Sequence, residues 1–185
     1  MGQTFLLRLV GAAALDASTY EEVEADRTAT PQALFVIVLS SVAAGIGAKG
    51  MNGDAATFRF FAEASVLALL AWIAFAFVMF QVGSRLLPTP ETHVDVGELL
   101  RTLGFAATPG LIQVFGMIPG AMVPVFLLAI VWTLAATVVA VRQALDFTST
   151  ARAIAVCGLG WALSFAIALI LGLVFGPTLS GSWRG

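Results

Sequence analysis

The stretch TLGFAATPGLIQVFGMIPGAMVPVFLLAIVWTLAATVVAV, Thr102–Val141, places 40 residues without one charged side chain between Arg101 and Arg142. A membrane-spanning helix needs about 20 predominantly apolar residues, so the run is long enough for two. Pro119, Gly120 and Pro124 cluster near its midpoint, where a tight turn between two spans uses them sensibly. A second uncharged run, Ala153–Gly176, supplies one more span. The whole chain agrees: 185 residues, 59% hydrophobic and 11% charged, with a mean hydropathy of +0.98. Lipid, not water, is its main solvent.

Working outward, the pattern predicts an all-α polytopic transmembrane bundle of five helices behind an N-terminal amphipathic interfacial helix. Residues 1–30 hold that interfacial helix and an acidic cytoplasmic segment. Residues 31–177 form the transmembrane domain, with helices at about 31–48, 57–82, 95–118, 123–142 and 150–176, and 178–185 are a short tail. In the first segment Phe5, Leu6, Leu9, Val10 and Ala13 share one helical face, with Arg8 elsewhere. Thr30 and Pro31 signal the start of the first span. Gly45, Gly47, Gly50, Asn52 and Gly53 signal a turn after it, and Pro88 and Pro90 a break after the second. Asp95 can cap the third helix with Glu98 as its reciprocal partner.

Five spans put the termini on opposite sides. With a cytoplasmic N-terminus, Arg8, Arg27, Arg85, Arg101, Arg142 and Arg152 lie inside, against Lys49, Arg59 and Arg184 outside. The C-terminus is then periplasmic in a bacterial inner membrane, since eight arginines against one lysine and heavy alanine use suggest a GC-rich bacterial genome. A net charge of −2 without a basic cluster argues against nucleic acid. The single cysteine, Cys157, excludes an internal disulfide. Arg8 interrupts the first apolar stretch, which lacks the pattern of a cleaved signal peptide, and Leu6 stands where myristoylation wants Ser or Thr.

Few residues suggest chemistry. Asp146, Thr148, Ser149 and Thr150 form a polar turn, but the only histidine, His93, lies in another loop, so no nucleophile has a base. His93 with Glu91 and Asp95 makes too thin a metal set. Capping and interfacial anchoring fit the turn better, with Arg142 and Arg152 contacting lipid headgroups. Glu63 lies in a span, yet Arg59 one turn earlier forms an interfacial ion pair with it. Pro109 and Gly110 kink the third helix. The feature above background is a row of small residues every four positions, Gly160, Ser164, Ala168, Gly172 and Gly176, suited to close helix packing or to a partner. Ala129, Thr133 and Thr137 form a shorter companion row.

The arrangement resembles the YIP (Ypt-interacting protein) family in its bacterial branch. LDASTYEEVEAD is similar to the family's N-terminal aspartate motif, with Ala17 in place of its proline. GELLRTLGFAATPG resembles the run into its third helix, with Pro109 as the recurrent proline. VWTLAATVVAVRQALDFTSTARAIAV resembles its fourth helix, turn and fifth helix. The Asp-Leu-Tyr-Gly-Pro motif of eukaryotic members is missing, so the resemblance does not extend to Rab binding. It implies a five-span, non-enzymatic membrane protein with a cytoplasmic N-terminus. The expected function is that of a scaffold or accessory subunit, without cofactor or metal, whose partners are membrane lipids and other integral membrane proteins or itself. The rival expectation is a small transporter or channel subunit using Glu63, Gln113 and the Pro109 kink.

Overall fold

A computed structural model of the chain describes residues 4–50, 55–88 and 94–181. Among these residues there are seven α-helices and no strand: α1 (Phe5–Ala13), α2 (Ala17–Ala25), α3 (Thr30–Lys49), α4 (Ala55–Gln81), α5 (Val96–Ala106), α6 (Met122–Ala144) and α7 (Thr150–Gly181). A 3-10 turn, Arg27–Ala29, precedes α3. A π-turn, Val82–Leu86, ends α4, and a 3-10 segment, Thr108–Met117, follows α5. Four of the helical stretches, Arg27–Lys49, Ala56–Leu86, Met122–Ala144 and Thr150–Ile167, are long and apolar enough to cross a membrane. The fold is thus a polytopic helical membrane bundle.

The expected continuous helix over 95–118 is divided. Asp95 caps α5 as its sequence suggests, accepting the Glu98 amide at 2.9 Å while its own amide donates to the Glu98 carboxylate at 2.7 Å. Eleven residues later the α-geometry stops. Pro109 has no N–H for the Phe105 carbonyl, and the Thr108 hydroxyl donates there instead at 2.6 Å. The Ala107 carbonyl accepts the Gly110 amide at 2.9 Å and the Ser40 hydroxyl of α3 at 2.9 Å. The chain then continues in 3-10 geometry for ten residues, far beyond the usual three or four.

Close packing on α3 fixes that unusual segment. A Cβ added at Gly47 would collide with the Gln113 carbonyl, and one at Gly116 would stand 3.0 Å from the Gly47 oxygen. On the other side of the proline, a Cβ at Gly104 would lie 2.6 Å from the Ala33 Cβ. Backbones come this close only where side chains are absent, the usual device for helix association in lipid. Gly45 and Gly47 therefore do not form the turn that the sequence suggests. Both lie within α3, and the helix ends at Gly50, whose φ of +72° needs glycine.

The acidic segment is also more ordered than its composition implies. It folds as α2, capped by Asp16 through the Ser18 amide. Leu15, at φ +61°, turns the chain between α1 and α2. Phe5 and Leu9 of α1 pack on the core, whereas Leu6 and Val10 remain exposed, which splits the expected apolar face between protein and lipid.

Candidate functional site

At the arginine-rich end of the bundle, α1 and α2 are fastened to the spans by two buried guanidinium groups. Arg8 is 3% exposed. It donates to Gln32 Oε1 at 2.9 Å, to Glu22 Oε1 at 3.0 Å and to Asp26 Oδ2 at 2.6 Å. Asp26 also accepts from the Thr28 amide and hydroxyl. Those Thr28 bonds, with Arg8, hold its carboxyl down at about 2. Arg101, from α5, donates through Nε to the Val23 and Glu24 carbonyls at 3.0 Å, and through Nη2 to Glu24 O as well. A cation on the last carbonyls of α2 satisfies orphan acceptors and complements the helix dipole.

Neutral donors complete the attachment. The buried Tyr20 hydroxyl donates to Ala12 O at 3.0 Å, and Trp132 Nε1 of α6 donates to Ala13 O at 2.7 Å. Gln143 Nε2, near the end of α6, donates to Glu21 Oε1 at 2.7 Å. These bonds place α2, the start of α5 and the α6–α7 turn at one end of the molecule. Gly47, Gly116 and Phe126 meet at the other. The chain therefore passes from end to end between Arg101 and Gly116.

Between α2, α5 and the α6–α7 turn lies a cleft of about 580 Å³, lined by Glu21, Glu24, Glu98, Arg142, Asp146 and Thr148 among others. Burial is the main reason that the Glu24 carboxyl rises to about 7, and the charges of Asp146 and Glu98 raise it further against the opposing pull of Arg101. The cleft can thus hold a proton near neutral pH. No group of three His, Cys, Asp or Glu side chains suited to a metal occurs among the described residues.

Other candidate residues are dispersed. Arg142 holds the α6–α7 turn, donating to Phe147 O at 3.2 Å and Thr148 O at 3.4 Å, and Asp146 sits there at φ +51°. Arg152 donates to Pro88 O at 3.2 Å. Arg59 and Glu63 are paired at 2.7 Å on an exposed face of α4, away from Pro109 and Gly110, which are buried against α3. Gln113 is half-buried in the 3-10 segment. Ala129 and Thr137 are buried within the bundle, with Thr133 half-buried between them, and Cys157 is buried as well. His93 and Glu91 lie outside the described residues.

The small-residue row begins inside the chain. A Cβ at Gly160 would collide with Met79 of α4, whereas Ser164 lines a groove between α4 and α7. Gly172 and Gly176 continue the row along α7; the surroundings of Ala168, Gly172 and Gly176 lie outside what is described. Sequence reasoning missed Arg8 and Arg101 as structural groups. The signal was available as cations beside an acidic segment, but only the fold shows that they point inward.

Residues 16–172 match the family model described as the Yip1 domain. Neither a curated protein nor a solved structure matches the chain significantly.

Proposed function

We propose, for a chain that belongs to the Yip1 domain family, a role as a non-enzymatic scaffold or accessory subunit that associates with other membrane proteins through its helices. The observation that carries this reading is α7. It runs for 32 residues, from Thr150 to Gly181, about 48 Å at ~1.5 Å per residue and well beyond the ~30 Å of hydrocarbon that one span needs. Beyond Gly160 it exposes Phe165, Leu169 and Leu173, which flank the row of small residues on one side. Small and exposed apolar positions together form a surface on which a second helix can pack.

In this reading α5 and the 3-10 segment form a composite fifth crossing. Eleven residues at ~1.5 Å and ten at ~2.0 Å extend about 36 Å, enough for the hydrocarbon core. The arginine-rich end then faces the cytoplasm of a bacterium and α7 ends on the periplasmic side. Gly172→Leu tests the association directly. Native mass spectrometry from mild detergent should show the wild-type chain in a complex, with itself or another membrane protein, and the variant released from it. A wild-type monomer, or an unchanged complex in the folded variant, contradicts the proposal.

A further inference from the structure

The seam between α4 and α7 opens, on the bilayer side, into two adjoining grooves of about 390 and 580 Å³ that share Val78 and Ile167. Such volumes suit small ligands. The polar groups along the seam follow an order. Arg85, in the π-turn that ends α4, lines the mouth, and it is exposed, its guanidinium making no ion pair or hydrogen bond to another described residue. Gln81, about one helical turn further in, lines the same groove. Its carboxamide oxygen is buried without a partner. Beyond Gln81 the walls are apolar, with Phe77, Val78 and Leu70, until Ser164, whose hydroxyl is also buried without a partner.

A cation at the rim and an apolar trough beyond it repeat the order of phosphate and acyl chain in a phospholipid. We infer that the α4–α7 groove binds one anionic phospholipid from the leaflet at the arginine-rich end, with its phosphate on Arg85 and an acyl chain along Val78. Charge complementarity selects this occupant. An exposed guanidinium at headgroup depth attracts an anionic headgroup and forms bidentate bonds to its phosphate. Arg152, bonded to Pro88 O at the same end, adds a second positive charge. A π-turn swings the chain out of regular α-geometry where the helix leaves the bilayer, a feature frequent at functional sites.

The test uses the full chain in detergent, titrated with phosphatidylglycerol and with phosphatidylcholine of the same acyl chains and followed by native mass spectrometry. The expected wild-type result is one retained phosphatidylglycerol, held about tenfold more tightly than phosphatidylcholine. Arg85→Gln should remove the preference, and Val78→Trp, which fills the trough, should weaken both lipids. Circular dichroism confirms that each variant is folded. Equal retention of the two lipids by the wild type, or unchanged phosphatidylglycerol binding in both folded variants, overturns the inference. So does a trough variant that loses a protein partner while keeping its lipid.

Discussion

Arg8 and Glu24 show what single side chains do at the arginine-rich end. Replacing Arg8 with Met leaves Glu22, Asp26 and Gln32 without their shared donor, so the docking of α1 and α2 should weaken by about 1–3 kcal/mol. Thermal unfolding and trypsin cleavage at Arg27 both report it. Glu24 acts in the opposite sense. Its folded-state value of about 7 lies above its ordinary 4.5, so the stabilisation linked to its protonated form is complete below about 4.5 and is lost as pH rises through 7. Cleavage at Arg27 should accelerate across that window in the wild type and change much less in Glu24→Gln. An equal acceleration in the variant would assign the pH response to another group. Neither role was legible in the sequence. Helical spacing sets Arg8 off the apolar face, but burial of a cation depends on acids contributed 14 and 18 residues later.

The elements that the sequence predicts best are those with the simplest physics. Uncharged runs, Pro31 at a helix start and the Asp95–Glu98 pair report local preferences, and α3, α6 and α7 begin close to the expected positions. The third expected helix failed because its geometry answers to a distant partner. Gly47 and Gly116 let α3 approach the backbone around Gln113, and Ser40 takes up the carbonyl at the break. A proline alone signals a kink; ten residues of 3-10 helix follow from that contact. Gly47→Leu should therefore destabilise the bundle by roughly 1–3 kcal/mol or more, because overpacking here strikes backbone rather than a flexible side chain. Unfolding midpoints in detergent measure this, and an unchanged midpoint would mean that the two segments are free to separate. Ser40→Ala should cost about 1 kcal/mol in the same assay.

Across the whole molecule, a helical membrane bundle was legible from composition, because few arrangements other than membrane spans place 40 consecutive uncharged residues in one chain. The number of crossings was harder, since four helices are long and apolar enough and the expected third helix divides into two geometries. A candidate site was the least legible. The acidic cleft, the α4–α7 groove and the small-residue row each combine residues from separate helices, and no short motif marks them. The account rests on an odd number of passages through the bilayer, and compartment-specific reporters fused at residues 1 and 185 test it most directly. It predicts that the N-terminal fusion is active only on the cytoplasmic side and the C-terminal fusion only on the far side; activity of both in the same compartment would contradict it.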